Sequence, residues 1–310
     1  AKRKKYNDSI ALVHQQQAVI QQQADATKLN SANPDSTALN DSAAVSLKSD
    51  AFGAFKTAAF GEEKFFTVEN ELIRLKFSNK GGRIYSAELK NYRTHDSLPL
   101  ILFDKDESAL GFTLTTTNNR VVNTADLYFE PVGEVTKDAK GNQTFVFRLK
   151  TDQPGSYLDF IYTIPANDYM VKYDIKATNM NAIIPPSMNL LEMNWSAKIR
   201  QQEKGRQFEE RYSALHFKYL TDDVNKLSES KNDQEDPANK VKWIAFKDQF
   251  FSTILIADES FVSTSLTSEM MPEKSGYLKS FSSKMAVGFD PARPMRPPRP
   301  FVLFRRRQPR

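Results

Sequence analysis

A chain without cysteine must do any chemistry with carboxylates, histidines, hydroxyls and lysines. The 310 residues contain no Cys, which removes disulfides, thiol nucleophiles and Cys-ligated zinc. Three histidines remain, His14, His95 and His216. They are far apart and no His-Glu-x-x-His pattern exists, so the spacing indicates no metal pair. His95-Asp96-Ser97 holds the letters of a catalytic triad, but a triad is a geometry of separated groups that consecutive residues do not assemble. That segment reads as a solvated loop. Glycoside chemistry needs two carboxyls flanking a sugar, and carboxylates are plentiful enough for sequence alone to leave such a pairing open. The adjacent acids Glu62-Glu63, Glu209-Glu210 and Asp222-Asp223 each read as solvated faces. Lys80-Gly81-Gly82 lacks the Lys-Ser/Thr and following helix of a phosphate loop. Trp195 and Trp243 could line a groove, but aromatic residues on strands are more often core. The sequence therefore assigns no catalytic, cofactor-binding or metal-ligating residue.

The elements that would position any such group are strands. Residues 67–92, TVENELIRLKFSNKGGRIYSAELKNY, read as two half-buried strands. Val68, Leu72, Leu75 and Phe77 lie on the first, and Ile84, Ala87 and Leu89 on the second. Between them Ser78-Asn79-Lys80-Gly81-Gly82 supplies a tight turn, with glycines where φ > 0 is needed. Alternating runs recur at 112–115, 144–149, 158–164 and 170–175, separated by Lys140-Gly141-Asn142, Gln153-Pro154-Gly155 and Pro165-Ala166-Asn167-Asp168. Residues 157–164 and 169–177 form a clear hairpin. Ile183-Ile184-Pro185-Pro186 interrupts the sheet, because two prolines cannot sit in a central strand. Strands resume at 190–195 and at 242–257, with two more expected at 262–267 and 283–289. A short helix is expected within 201–211, and a polar, mobile loop over 228–239. The pattern predicts an all-β, large antiparallel β-sandwich with one or two short helices.

The ends differ from the middle. Of the formal charge of +5, the first five residues supply +4 and the seven arginines of 292–310 supply +7, so residues 6–291 carry −6. A mildly acidic body argues against a nucleic-acid-binding face. Residues 1–51 are rich in Gln, Ala, Ser, Asn and Asp and read as a disordered polar tether holding one short helix near 10–20. Residues 292–310, Pro/Arg-rich, have a composition that cannot pack a core. They read as a frameshifted or artificial end, or as a basic tail that meets anionic lipid or RNA. No run of about 18 apolar residues spans a bilayer. The first residue is not Met, which reads as a fragment.

The 67–92 hairpin resembles the opening of the large periplasmic domain of the YidC membrane protein insertases of Gram-negative bacteria, with its polar-Lys/Arg-Gly-Gly turn and returning strand ending at Tyr. A second matching stretch is Lys242-Trp243-Ile244-Ala245-Phe246-Lys247-Asp248-Gln249-Phe250-Phe251-Ser252-Thr253. The resemblance covers roughly 52–291 and implies a mutarotase-like supersandwich domain. It also implies an N-terminal anchor upstream, membrane helices downstream, and a place in the bacterial inner membrane with this segment facing the periplasm. The role it implies is a non-catalytic module that assists insertion and folding of inner-membrane proteins. Its partners would be those substrates and Sec translocon components including SecDF, with no cofactor and no nucleic acid. The alternative is a carbohydrate-binding or carbohydrate-processing β-sandwich, which requires two acids converging on one groove with aromatic platforms.

Overall fold

The computed structural model describes residues 50–221, 223–289 and 301–304. The first sheet has four antiparallel strands in chain order, β1 (Phe65–Glu69), β2 (Ile73–Ser78), β3 (Arg83–Arg93) and β4 (Pro99–Asp104). Alternation puts Val68, Ile73, Leu75, Phe77, Ala87, Leu89, Leu100 and Phe103 into the core. The single strand expected from Thr67 to Phe77 is two, because Asn70 folds the chain back on itself. Its Oδ1 accepts the amides of Leu72 and Ile73, both at 2.8 Å, while its own N–H donates to the Ile73 carbonyl at 3.0 Å. An Asx side chain that captures nearby amides competes with the strand ladder in this way.

The Gly-Gly turn between β2 and β3 is where the two sheets meet. Gly81 and Gly82 have φ of 78° and 57°. A Cβ on Gly82 would sit 2.9 Å from the Phe129 ring, so the position needs glycine for both backbone and space. The Tyr162 hydroxyl donates to the Gly82 carbonyl at 2.7 Å. Asn70 makes the same connection at the other end, donating to the carbonyls of Pro165 and Asp168 at 2.8 Å each.

The second sheet collects fifteen strands. In chain order they begin with β5 (Ser108–Thr115), β6 (Val121–Asn123), β7 (Glu130–Pro131), β8 (Thr136–Lys137), β9 (Gln143–Lys150), β10 (Tyr157–Ile164) and β11 (Met170–Thr178). After the Ile-Ile-Pro-Pro break come β12 (Leu190–Arg200), helix α1 (Arg206–Tyr212), β13 (Ala214–Tyr219), β14 (Val224–Lys226), β15 (Asp233–Glu235), β16 (Val241–Lys247), β17 (Ser252–Met270), β18 (Tyr277–Gly288) and β19 (Phe301–Phe304). The main path runs β6-β5-β12-β18-β17-β19-β11-β10-β9-β7. The expected β10–β11 hairpin is present, with Phe160 opposite Ile175 and Tyr162 opposite Tyr173.

Two boundaries differ from expectation. The runs at 252–257 and 262–267 are one 19-residue strand, β17. Ser263, at φ 50°, takes up a bulge where the register with β18 shifts between Val262 and Ser265. A bulge bends a strand without ending its ladder. The polar segment at 228–239 contains β15, paired to Leu266–Ser268 of β17. Within 292–310, only Phe301–Phe304 are described. They pair antiparallel with Met170–Lys172 of β11 and with Thr253–Ile256 of β17. Of the expected tether, 1–51, residues 1–49 lie outside the described residues.

Aromatic side chains fill the space between the sheets. Phe77 of β2 meets Phe145 and Tyr162 at centroid distances of 5.3 and 4.9 Å, and Tyr162 stacks on Tyr173 at 4.6 Å. Such rings supply about 1.5–3 kcal/mol each on burial, with edge and offset contacts adding about 0.5–1.5 kcal/mol per pair. Trp195 is core, as expected, stacked on Phe246 at 3.7 Å and 10°; Trp243 is half-buried on β16.

Candidate functional site

A groove of about 460 Å³ opens where the loop after β3, the turn before β5, the end of β12 and the turn before β18 come together. It brings His95, Asp96, Glu107, Arg200, Gln202 and Tyr277 onto one surface. Glu107 is its chemical centre. Arg200 grips it with two bonds, Nε to Oε2 at 2.7 Å and Nη2 to Oε1 at 2.9 Å. The Tyr277 hydroxyl donates to Oε1 at 2.6 Å and the Asp104 amide to Oε2 at 2.7 Å. Burial pushes the Glu107 carboxyl up, but the Arg200 and Tyr277 hydrogen bonds outweigh it and leave the group below its ordinary value. A carboxylate saturated by four donors is ionised and has no lone pair left for a substrate.

The other groove acid cannot complete an acid–base pair. Asp96 is exposed and accepts from the Thr94 hydroxyl, which holds its carboxyl below the ordinary value as well. Glycoside chemistry requires one carboxyl kept protonated, and both here favour the ionised form. His95 is fixed rather than merely solvated. Its amide and its Nδ1 lie 3.2 and 3.1 Å from the Gln202 carbonyl, while Gln202 Nε2 donates to the Ile101 carbonyl at 2.8 Å. His95-Asp96-Ser97 assembles no triad: the His95 ring faces the Gln202 carbonyl, Asp96 accepts from Thr94, and the Ser97 backbone N–H donates to the Thr94 carbonyl at 3.0 Å.

A second depression, about 680 Å³, lies between residues 57–64, residues 128–131 and the end of β9. Several of its charged side chains have partners close by. Arg148 holds Asp159 at 2.7 and 2.9 Å while its guanidinium lies 3.6 Å from the Tyr157 ring centroid. Lys150 meets Glu130 at 2.5 Å, and Asp152 accepts from the Thr57 hydroxyl at 2.7 Å. The floor is apolar, from Ala58, Phe66 and Phe129.

Glu209 departs from expectation, together with a partner the sequence did not single out, Asp248. Glu209 was expected on a solvated face, yet it is fully buried, and Asp248 is 7% exposed. Glu209 sits on α1 and accepts the amides of Gln202 and Glu203 at 2.9 and 3.1 Å. Asp248, in the turn from β16 to β17, accepts the Gln249 amide at 2.5 Å and lies 3.1 Å from the Ser213 hydroxyl. The two carboxyls face each other in this enclosed site, so a charge on one opposes a charge on the other. Burial, and then the Glu209 charge, drive the Asp248 carboxyl well above the usual carboxylate range. Burial likewise raises Glu209. Beside the pair Lys279 is completely buried, donating to the Ser213 and Glu229 carbonyls at 2.6 and 2.7 Å. Nothing in the local sequence signals this cluster, whose members come from α1, β18 and a turn. The pair is a structural fastening, enclosed and without room for a substrate.

The remaining expected sites stay apart. His216 is half-buried on β13 with Nδ1 3.3 Å from the Ala214 carbonyl, and His14 and Asp222 lie outside the described residues. Among the described residues no group of three His, Asp or Glu could hold a metal ion. No helix there is long and apolar enough to cross a membrane.

Known proteins resemble this chain in fold and in sequence. In overall fold the chain is similar to a galactose mutarotase-like protein from Lactobacillus casei, at 10% identity and a TM-score of 0.47 over 79% of this chain and 100% of that one. It is also similar to an alpha-galactosidase from Lactobacillus brevis, at 11% identity and 0.44 over 79% and 40%. Likeness at that level carries no functional argument. Sequence similarity is much stronger. The chain is 45% identical over 290 residues to the membrane protein insertase YidC of Parabacteroides distasonis, covering 93% of this chain and 44% of that protein. It is 38% identical over 291 residues to the same-named protein of Bacteroides fragilis, covering 94% and 44%. The chain thus spans less than half the length of these curated relatives. The family model described as the YidC periplasmic domain matches residues 66–293, a span that takes in the groove, the buried acid pair and, apart from Phe65 and β19, the strands of both sheets. This chain belongs to the YidC periplasmic-domain family.

Proposed function

We propose that the chain is the periplasm-facing part of an inner-membrane protein insertase, acting as a non-catalytic module that contacts other proteins. Its partners are inner-membrane proteins during insertion and folding, together with Sec translocon components including SecDF. The membrane-embedded step belongs to the rest of the relatives' length. The observation that carries this reading beyond family membership is the saturated carboxylate. Glu107, bound by Arg200, Tyr277 and the Asp104 amide, organises a groove wall and offers no acid to a substrate. The carbohydrate alternative needs a convergent acid–base pair, and Asp96 and Glu107 both favour the charged form.

The test uses the full-length insertase with photoreactive residues placed at Phe60 beside the larger depression and at Leu98 beside the groove. Crosslinks to nascent inner-membrane proteins or translocon subunits are expected. Polarimetry of freshly dissolved aldose should show the same mutarotation rate with and without the chain. Accelerated mutarotation, or no protein crosslink at either position, overturns the reading.

A further inference from the structure

Helix α1 separates its residues by chemistry in a way that folding alone does not require. Every acid of the helix is turned inward or neutralised. Glu209 is buried against Asp248, and Glu210 is half-buried, 3.2 Å from Arg206. Arg206 is also turned inward, donating to the Tyr277 and Met271 carbonyls at 2.7 and 2.9 Å. The outward stripe of α1 is Phe208, Arg211 and Tyr212, at the three- and four-residue spacing that shares one helix face, with Lys204 in the turn just before the helix; all four are exposed. Phe208 is 59% exposed and Tyr212 38%, with ring centroids 4.9 Å apart. Among the described residues, no carboxylate lies at ion-pair distance from Lys204 or Arg211.

We propose that this outer face of α1 docks on an anionic lipid surface, with Phe208 and Tyr212 entering the headgroup region and Lys204 and Arg211 meeting the lipid charges. The inference rests on the reading of the chain as a domain of a membrane insertase. Aromatic side chains flanked by basic ones, on a helix whose acids are withdrawn, are the chemistry of an interfacial contact. An acidic protein surface would satisfy the two cations, but it would leave the solvated aromatic pair without an apolar counterpart. The rest of residues 6–291 is net negative, so repulsion orients the domain with this stripe toward the membrane. The contact is small, yet a domain held near a bilayer in its own protein experiences a high effective lipid concentration. The buried fastening matters here too. Glu209 and Asp248 fix the helix rotation, which keeps the aromatic pair outside.

Vesicle flotation of the full chain tests this, with phosphatidylcholine vesicles and with vesicles carrying about 30% phosphatidylglycerol. Flotation with the anionic vesicles is expected, falling as salt is raised. Phe208→Ser with Tyr212→Ser should reduce the bound fraction about tenfold, and Arg211→Glu at least fivefold. Circular dichroism should stay unchanged, since these side chains are exposed. The arginine-rich end is a competing source of binding, so a chain with Arg305, Arg306 and Arg307 changed to Ala is run beside them and should keep most of its anionic-vesicle binding. Loss of binding in that variant with retention in the aromatic double variant overturns the proposal. So does absence of flotation by the unmodified chain. A double-variant defect seen only in cells, without vesicle binding, also overturns it and points to a protein partner. None of these failures touches the crosslinking test of the insertase reading.

Discussion

Asp248→Asn should remove a pH dependence of stability while costing little. In the folded chain the Asp248 carboxyl is held well above its ordinary value, first by burial and then by the Glu209 charge. In the unfolded chain the carboxyl titrates near the ordinary value of about 3.9. A raised folded pKa contributes stability that is fully present below the unfolded pKa and is lost as pH rises through the folded one. The loss is about 1.4 kcal/mol for each unit by which the pKa is raised. Asparagine keeps the acceptor for the Gln249 amide and the Ser213 hydroxyl and can turn an N–H toward Glu209, but cannot ionise. Glu209→Gln is the contrasting change. Glu209 accepts two amides on separate oxygens, and an amide nitrogen would face one of those donors. An orphaned buried N–H costs about 1–3 kcal/mol. Urea unfolding from pH 5 to 8, followed by the fluorescence of Trp195 on Phe246, reads both. The Asn variant should show a flatter profile than the unmodified chain, and the Gln variant a loss of about 1–3 kcal/mol at pH 5. An Asn variant with the unmodified slope, or one that loses more than Glu209→Gln, refutes the raised Asp248 carboxyl.

Three further outcomes follow from the geometry. Gly82→Ala combines backbone strain of about 1–2 kcal/mol at positive φ with overpacking of about 1–3 kcal/mol against Phe129. Gly81→Ala, where the nearest atom is 3.3 Å away, should cost only the strain, and urea midpoints of the two variants separate the terms. Because the Glu107 pKa is depressed, its contribution is present above the ordinary carboxylate value and lost as pH falls through the folded one; Glu107→Gln should therefore cost about 1–3 kcal/mol at pH 7 and flatten the acid limb of a thermal-denaturation series. A chain ended after Phe289 leaves the edges of β11 and β17 that β19 covers without a partner. Exposed edges pair with other chains, so sedimentation velocity should show a concentration-dependent dimer that the full chain lacks.

Where side chains alternate every two residues and turn residues sit between the runs, the sequence was legible. β9, β10 and β11 lie where their alternating apolar residues put them, and the Gly81-Gly82 turn lies where two glycines permit positive φ. The two family stretches were legible for a related reason, since they carry the turn and the Trp195-facing strand containing Phe246 that the two sheets are built around. What the sequence hid is of one kind. Asn70 looks like any polar residue within an alternating strand, and it breaks that strand because two amides and the β10–β11 turn are near enough to bond it. Ser263 looks like a strand residue, and only the register with β18 shows the bulge.

The charges make the same point more sharply. Glu209 has the local appearance of a solvated acid, as Glu63 does, and Glu107 resembles any loop carboxylate. Glu209 is buried because amides at Gln202 and Glu203 and a carboxyl at Asp248 converge on it, and Glu107 is saturated because Arg200 and Tyr277 arrive from strands distant in the chain. Pleat and turn are settled by neighbours a few residues away, so the sequence by itself determined the all-β architecture. Whether a charged group is solvated, clamped or neutralised depends on donors and on a dielectric supplied from elsewhere in the chain, so only the tertiary structure decided what each acid does.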